Sequence, residues 1–348
     1  DLPDLDGADA HIEGNVFVHF NRNQGGDSTS NAIATGRDGD HTTALCLVRN
    51  LFVDNDHAVL VKEDGFLRAE HNTFVNTGVA TISFGEPDRS PPRPAGRGAY
   101  MAGNIFWNNA AMFEHFFDES LPDYGPTDLV VEASILPAIW HGLGVGNIDA
   151  DPLFVSANDY YLKPMSAAVA SGPFGLDMGA YVPGGAAITG EPSGTTYRTD
   201  AILTVGGPGI TDYVYSVNSP SGPWSEERPV DVPIELTGLQ DRQSYTVYVL
   251  GKNSAGRWQE QPNASRNWAV DPAYRRLVIN EVLASGEIAS EHPDAVELFY
   301  DGPAEMSLAG AMLSDDPQQP DKFVFPSGVM IGPGEHFVVF ADAGATSG

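Results

Sequence analysis

The sequence predicts an all-β protein in which a solenoid of stacked β-coils precedes β-sandwich modules. Gly (38) and Pro (26) are abundant, and helical periodicity is nearly absent. Short β-branched and aromatic runs alternate with turn residues instead, which is typical of strands. The phrase Asn-x-Phe also recurs four times in the first third of the chain. Its four copies begin at Asn15, Asn50, Asn72 and Asn104.

The repeat indicates how the first part of the chain folds. The spacings of 35, 22 and 32 residues are those of a coil of about 22 residues lengthened by insertions, so equivalent residues stack in columns. Stacked Asn amides are expected to bond turn backbone groups, and inward Phe side chains to form one core. Two further columns follow each phrase: Val18, Val53, Val75 and Trp107, and then His19, Asp54, Asn76 and Asn108.

The coil from Asn50 to His71 contains three strand-like runs with polar turns between them. They are Leu51–Val53, Ala58–Lys62 and Phe66–Ala69. Three short strands per coil is the arrangement of a right-handed parallel β-helix. We therefore expect residues 1–185 to form such a helix, with its N-terminal rungs missing from this sequence.

The end of this region carries a motif that extends the pattern. It consists of Asn147-Ile148-Asp149-Ala150-Asp151-Pro152-Leu153-Phe154, then Asp159-Tyr160-Tyr161-Leu162-Lys163-Pro164, then Gly175-Leu176-Asp177-Met178-Gly179-Ala180-Tyr181. With the repeat, it resembles the pectate-lyase-like β-helix repeat family and the closing segment of bacterial extracellular β-helix proteins. The resemblance implies a fold and an extracellular setting. It does not imply one activity, because β-helices include lyases, hydrolases, esterases and adhesins.

A linker is predicted at residues 186–195, and residues 196–271 follow as a small β-sandwich. Leu239 and Tyr245 have the spacing of a tyrosine corner. The segment resembles a fibronectin type III or related immunoglobulin-like module. Three tryptophans favour either carbohydrate stacking or core packing: Trp224, Trp258 and Trp268. The strand-like runs are Ala201–Val205, Tyr213–Val217 and Tyr245–Leu250.

Residues 275–348 differ again in pattern. In order along the chain, this part contains Leu277-Val278-Ile279-Asn280-Glu281-Val282-Leu283, Val296-Glu297-Leu298-Phe299, Leu313-Ser314-Asp315-Asp316, Ile331-Gly332-Pro333-Gly334-Glu335 and Phe337–Phe340. This series resembles the lamin-tail domain, an immunoglobulin-like sandwich appended to many bacterial secreted proteins. We expect the domain to be incomplete at its C-terminus, and the sequence to be a piece of a longer protein.

The composition of the chain limits the classes of partner that it can bind. The chain has 47 acidic and 18 basic side chains and a formal net charge of −29. General nucleic-acid binding needs a basic surface, so that class is excluded, and docking on an anionic membrane is disfavoured. No apolar run is long enough to span a bilayer. The single Cys46 lies in an apolar run and is expected to be a buried small hydrophobe.

The most charged coil supplies the candidate catalytic residues. A β-helix polysaccharide lyase needs a cation such as Ca²⁺ at the uronate carboxylate, and a Lys or Arg that removes the adjacent proton. Asp54 and Asp56 are predicted as metal ligands, with Lys62 or Arg68 as the base. His57 belongs to the same candidate site.

Alternatives remain for these residues. The two aspartates can instead form an acid/base pair for glycoside hydrolysis. Asp54 also falls in the turn column of Asn76 and Asn108, where short polar side chains bond the backbone, and this alone accounts for it. A zinc site made of three histidines is a further alternative. Its ligands would be His41, His57 and His71.

An arginine-containing loop at residues 85–98 departs from the acidic background. Arg89, Arg93 and Arg97 are predicted to bind an anionic substrate, because Arg pairs well with carboxylate and sulfate groups. The alternative is a solvated insertion whose arginines pair with nearby acids.

Three functions follow from these patterns. The first is an extracellular or cell-surface bacterial protein with a structural, adhesion or carbohydrate-contact role, since no complete catalytic set is visible. The second is a polysaccharide lyase or glycoside hydrolase acting on an anionic polysaccharide. The third is a structural or assembly protein stabilised by calcium, the one cofactor considered. Further domains of a longer chain are expected as partners.

Overall fold

The computed structural model of the protein describes residues 4–21, 30–85, 93–115, 128–284 and 294–341. Of these described residues, 46% lie in strands and 3% in helices. The predicted all-β fold class is therefore confirmed. In the described ranges, no helix is long and apolar enough to cross a membrane.

The chain divides into two compact units. The first comprises Asp1–Thr189, Thr204–Pro233 and Tyr248–Ala264, and the second comprises Gly190–Leu203, Ile234–Val247 and Ser265–Gly348. The domain ranges expected from the sequence rest on composition, which is a different criterion, and they stay predictions.

The described residues between 4 and 175 contain seventeen short strands and two 3-10 helices. The strands are β1 (Asp4–Asp6), β2 (Ala10–Glu13), β3 (Val16–Val18), β4 (Asn31–Asp38), β5 (His41–Thr42), β6 (Ala44–Val48), β7 (Leu51–Val53), β8 (His57–Leu60), β9 (Phe66–Glu70), β10 (Thr73–Val75), β11 (Ala80–Ser83), β12 (Gly98–Ala102), β13 (Ile105–Trp107), β14 (Phe113–Glu114), β15 (Asp128–Glu132), β16 (Phe154–Ser156) and β17 (Asp159–Leu162). The 3-10 helices are Ala138–Leu143 and Pro173–Gly175.

Three parallel sheets contain most of these strands. The first sheet has the order β15-β12-β9-β6-β2, the second β13-β10-β7-β3, and the third β1-β4-β8-β11-β14. From β6 to β15 the chain visits the first, second and third sheets in turn. Each turn of the chain therefore adds one strand to each sheet. Among the described strands of these three sheets, only β5 pairs antiparallel, with β4.

A column of polar side chains runs through the interior beside the second sheet. The Asn50, Asn72 and Asn104 side chains are fully buried. The Oδ1 of Asn72 accepts the Asn50 N–H at 2.9 Å, and the Oδ1 of Asn104 accepts the Asn72 N–H at 2.9 Å. The column continues where the Oγ of Ser134 accepts the Asn104 N–H at 3.0 Å. Each amide thus pairs a backbone group that burial would otherwise leave unbonded.

The phenylalanines of the repeat form a second column in the core. Phe17, Phe52, Phe74 and Phe106 occupy equivalent register positions in the second sheet. Their ring centroids lie 4.7, 4.9 and 5.0 Å apart in nearly parallel stacks. The core around them is apolar and continuous, since it also contains Leu45, Leu47, Val59, Leu67, Ile82 and Met101.

The residues after the 3-10 helix Ala138–Leu143 cover the outer face of the second sheet. Tyr160 and Ala180 are buried against Leu51, Val53 and Val75. The Gly179 N–H donates to the Gly103 carbonyl at 2.7 Å, and the Ala180 N–H donates to Thr73 Oγ1 at 3.0 Å. The closing motif predicted from the sequence therefore packs along the sheet.

Ten strands follow in residues 187–270. They are β18 (Ala187–Thr189), β19 (Gly194–Thr196), β20 (Ala201–Gly206), β21 (Ile210–Val217), β22 (Arg228–Pro229), β23 (Ile234–Leu236), β24 (Ser244–Tyr245), β25 (Val247–Asn253), β26 (Asn263–Ala264) and β27 (Trp268–Val270). Their sheets have the orders β18-β20-β23, β19-β27-β24 and β22-β21-β25-β26.

The expected tyrosine corner has its hydrogen bond, because Tyr245 Oη accepts the Gln240 N–H at 2.7 Å. The tryptophans differ in burial. Trp268 is 1% exposed and stacks on Tyr245, whereas Trp258 is 41% exposed beneath the Lys252 ammonium group. Trp268 therefore packs in a core, and Trp258 faces solvent.

The last strands are antiparallel. They are β28 (Arg276–Leu283), β29 (Ala295–Asp301), β30 (Met306–Ser307), β31 (Met312–Leu313), β32 (Phe323–Val324), β33 (Met330–Ile331) and β34 (His336–Phe340). β29 lies between β28 and β34, and Leu298 and Tyr300 face a small core. Opposite them in register, Ile279 and Leu277 of β28 are 56% and 37% exposed. The core side of β28 is thus largely open.

Candidate functional site

Asp54 lies in a column of partly exposed polar side chains, at the turn after each strand of the second sheet. Its φ is 52°, and Asn76 and Asn108 have φ values of 57° and 54°. Asn76 Nδ2 donates to Asp54 Oδ1 at 2.9 Å, and Asn108 Nδ2 donates to Asn76 Oδ1 at 2.6 Å. His19 Nε2 lies 3.4 Å from Asp54 Oδ2. Asn and Asp favour this left-handed turn conformation, which accounts for the column.

His57 is buried at the start of β8 in the third sheet. Its Nε2 lies 2.9 Å from Glu114 Oε2, and its Nδ1 has no hydrogen-bond partner among the described residues. The neighbouring Asp56 accepts the Val79 N–H through its carbonyl at 2.9 Å. Arg68 belongs to the first sheet, so the structure places His57 and Arg68 on different faces.

Lys62 is 8% exposed and follows β8 at a bridge to Ala95. Its N–H donates to Thr35 Oγ1 at 3.0 Å. The turn after it packs on the end of the arginine-containing loop, because the Glu63 N–H donates to the Pro94 carbonyl at 2.8 Å. The structure therefore brings Lys62 to this loop.

The described arginines of the loop have local partners. Arg93 Nη1 donates to the Oε1 of Glu63, whose side chain is 5% exposed. The Arg97 guanidinium lies 4.9 Å from the ring centroid of Phe66, at the start of β9. Arg89 lies outside the described residues. The Arg93 contact matches the alternative of pairing with a nearby acid, Arg97 instead lies over an aromatic ring, and substrate binding by the loop stays a prediction.

Arg68 lies on the outer face of the first sheet, in a row of side chains at equal register. His11, Cys46, Arg68 and Tyr100 occupy this row on β2, β6, β9 and β12. Arg68 Nε donates to Glu70 Oε1, and its Cζ lies 5.3 Å from the Tyr100 ring centroid. Strands in a sheet are about 4.8 Å apart, so the row presents neighbouring functional groups along one face.

A second row of side chains, made of carboxylates, lies two residues further along the same strands. Glu13, Glu70 and Glu132 share this face. Glu70 Oε2 accepts the Gly209 N–H at 2.7 Å, and Tyr100 Oη donates to Glu132 Oε2 at 3.3 Å. Burial and the nearby Glu132 carboxylate raise the pKa of Tyr100. The outer face of the first sheet therefore has a row with the basic side chains His11 and Arg68 beside a row of carboxylates.

His11 joins the two rows. Its Nδ1 lies 2.7 Å from Ser254 Oγ, and its Nε2 lies 3.0 Å from Glu13 Oε2. The adjacent Cys46 and the hydrogen bond with Glu13 raise the pKa of His11 to about 9. The same hydrogen bond and the nearby Arg49 guanidinium hold the pKa of Glu13 below its usual value. His11 is therefore protonated at neutral pH.

A groove of about 650 Å³ opens on this face. Ser254 and Ala255 border it on the side away from the sheet. Reasoning from the sequence found Arg68 but missed the rest of this site. The signal was present in the alternation of Ala10-His11-Ile12-Glu13, which places His11 and Glu13 on one face of a strand. The sheet side of the groove is lined by Asp9, Ala10, His11, Ala44, Leu45, Cys46, Phe66 and Arg68.

Within the described ranges, no three or more His, Cys, Asp and Glu side chains are grouped to hold a metal ion. His71 of the zinc alternative is buried, its Nδ1 lies 3.0 Å from the Asp177 carbonyl oxygen, and burial lowers its pKa. The metal role of Asp54 and Asp56 stays a prediction.

A protein-family model, the Lamin Tail Domain, matches residues 271–348. The antiparallel strands β28 to β34 lie in this range, and a lamin tail domain has an immunoglobulin-like fold. The match indicates a structural β protein for this part of the chain. The comparison with curated proteins gives no match.

Proposed function

We propose that the chain is a structural part of a secreted or cell-surface protein, with a right-handed parallel β-helix as a rigid spacer or adhesion module. One observation carries this proposal: in the charged coil, polar groups predicted to be catalytic are held by partners within the coils. Asp54 belongs to the turn column, His57 pairs with Glu114, and Arg68 pairs with Glu70. Side chains that are hydrogen-bonded in this way stabilise the stacking of successive coils.

Three features support the β-helix. Each turn of the chain adds one strand to each of three parallel sheets, and the Asn and Phe columns run through successive coils. Crossovers between parallel strands of one sheet are nearly always right-handed, which supports the hand of the helix. The match of residues 271–348 to a lamin tail domain supports a modular protein, with the segment before it as a fibronectin type III-like sandwich.

Activity assays test this proposal directly. We expect no unsaturated product when the chain is incubated with polysaccharides containing uronate or sulfated sugars. Absorbance from unsaturated product that disappears in Lys62→Ala or Arg68→Ala would overturn it. Lys163→Ala is a matched control, because Lys163 is an exposed lysine that directly follows β17 and is not among the candidate catalytic residues.

A second function, cleavage or binding of an anionic polysaccharide, is favoured by one specific observation. Arg68 and Tyr100 lie side by side on the outer face of the first sheet, where an extended chain can run across successive strands. Binding without cleavage, measured by affinity electrophoresis and lost in Arg68→Ala, would assign a carbohydrate-contact role. Product formation would assign a lyase or hydrolase.

A further inference from the structure

β28 lies at the edge of the antiparallel sheet. The sheet has the order β28-β29-β34, and within the described residues no strand pairs with the side of β28 that faces away from β29. This free edge extends over Arg276–Leu283 and contains neither proline nor lysine, the residues that commonly block such edges. An edge strand directs alternate N–H and C=O groups away from its sheet, where another strand can bind them. β28 is therefore open to pairing with a further strand.

The two faces of β28 differ in character. A bulge between Ile279 and Glu281 takes Asn280 out of the register with β29, so the alternation of faces shifts by one residue there. The core side has Leu277, Ile279 and Val282, and the other face has Arg276, Val278, Glu281 and Leu283. The core side of the strand is thus apolar, and the bulge places Arg276 and Glu281 on the same face.

One charge of β28 is unbalanced within its own sheet. Glu281 lies directly opposite Glu297 of β29, and like charges in this position destabilise a sheet. The Glu297 carboxylate accepts a hydrogen bond from Asn280 Nδ2 at 2.6 Å and lies 2.8 Å from His336 Nδ1, so it has partners of its own. In the part of the chain that the structure describes, neither Glu281 nor Arg276 forms an ion pair. A basic side chain at the free edge would offset the repulsion at Glu281.

The strand is complementary to a second copy of itself. When two copies of β28 run antiparallel about a two-fold axis at Val278, Arg276 of each copy faces Glu281 of the other. Leu277 of each copy then faces Ile279 of the other on the core side. Asn280 stays outside this register, as it does in the pairing with β29. Because a two-fold axis repeats each contact, one register forms both the pairs of opposite charge and the apolar pairs.

We propose that the chain forms a symmetric dimer through this edge, with β28 of a second copy as the occupant. The two three-stranded sheets then form one sheet of six strands, in the order β34-β29-β28 followed by β28-β29-β34. Arg276 of the second copy lies beside Glu281 and offsets its repulsion with Glu297. Main-chain hydrogen bonds join the copies, and the apolar rows on their core sides become continuous. The dimer does not depend on whether the chain binds or cleaves a polysaccharide.

Sedimentation velocity of the full chain over a range of concentrations tests this proposal. The buffer contains about 0.15 M salt, which screens the net charge of −29. We expect a dimer whose dissociation constant rises about tenfold in Arg276→Glu, because both symmetric ion pairs become repulsive. Arg198→Glu makes the same charge change at an exposed arginine outside this sheet, and it should leave the dissociation constant unchanged.

Exchange of the two charges identifies the register. Arg276→Glu combined with Glu281→Arg restores both ion pairs, so the dissociation constant should return to within about threefold of the original value. Since Asp301 lies opposite Arg276, unfolding curves check that each variant is folded before its mass is compared. A chain that stays monomeric at all concentrations would overturn the proposal, and so would a dimer that is indifferent to Arg276→Glu or not recovered by the exchange.

Hydrogen–deuterium exchange of the original chain locates the contact without any variant. Alternate amides in residues 276–283 are expected to gain protection as the concentration rises through the dissociation constant. If all amides of this strand are protected even in the monomer, a segment of the same chain pairs with the edge, which contradicts the proposal. A dimer that adds no protection to these amides uses another surface and contradicts it equally.

Discussion

Two polar columns flank the strands of the second sheet, and they follow the same repeat. Asn50, Asn72 and Asn104 precede the strands and are fully buried, and their amides bond the backbone of neighbouring coils. Asp54, Asn76 and Asn108 follow the strands, are partly exposed, and bond one another through side chains. Both columns have the same spacing in the sequence. The buried column forms hydrogen bonds with backbone groups, whereas the exposed column forms them between side chains.

This difference shows how much a repeated polar residue contributes to the free energy of unfolding. Its contribution depends on which hydrogen-bonding groups are left without a partner when the residue is replaced. In the buried column, deletion leaves backbone N–H and C=O groups without partners in an apolar core. In the exposed column, water replaces the lost partner. Repetition alone therefore identifies neither a catalytic nor a stabilising residue.

The largest expected effect is from Asn72→Ala. This change removes the acceptor of the Asn50 N–H and the donor to the Leu47 carbonyl. We expect the free energy of unfolding to fall by about 3–5 kcal/mol, since each orphaned buried group costs about 1–3 kcal/mol. Urea unfolding followed by circular dichroism measures it. Asn158→Ala, at an exposed turn, is the control, and a similar loss there would remove the contrast.

The third polar set, on the first sheet, is expected to respond to pH. The pKa of His11 is raised to about 9, so its stabilising contribution is complete below the unfolded value of about 6.5 and is lost as the pH rises through about 9. After allowance for screening by water, we expect a loss of about 1–2 kcal/mol over this range. Unfolding curves between pH 6 and pH 10 measure it. His11→Gln should abolish the decline, and an unchanged decline would assign it to other groups.

A smaller effect is expected from Asn76 in the exposed column. Its φ is 57°, a conformation that costs an ordinary residue about 1 kcal/mol more than Asn or Gly. Asn76→Ala should therefore lower the free energy of unfolding by about 1 kcal/mol. Asn76→Gly should leave it within about 0.5 kcal/mol, because glycine adopts this conformation without strain. Equal losses in both variants would mean that the side-chain hydrogen bonds dominate.

The smallest effect is expected from Asp54→Asn. The amide oxygen can still accept from Asn76, and the contact with His19 is partly exposed on both sides. We expect a change of at most about 0.5 kcal/mol in thermal unfolding. A polysaccharide-cleaving activity lost in this stable variant would instead give Asp54 a chemical role.

Much of the three parallel sheets could be predicted from the sequence, because their determinants repeat. Asn-x-Phe predicted both interior columns, and the strand Leu51–Val53 has the expected bounds. The position of Ser134 in the Asn column was not predicted. Its hydroxyl accepts the Asn104 N–H as an amide oxygen would, so the chemistry is conserved in space while the residue type changes.

The site on the first sheet was harder to predict. Arg68 was selected for its charge, but its neighbours come from remote positions. His11 contacts Ser254, 243 residues away, and Glu70 accepts from the backbone of Gly209. Contacts of this kind depend on how later segments fold back on the sheet. Local periodicity contains no information about them.

The unequal spacing of the repeat has a consequence for how such a chain can change length. The asparagines of the repeat are bonded in register although 35, 22 and 32 residues separate successive members. The register of the three parallel sheets is therefore independent of how much sequence connects their strands. Evolution can lengthen one corner, or an engineer can graft a foreign peptide there, without disturbing the coils above and below. The sheets keep their register, while the connections between strands can change and form new binding surfaces.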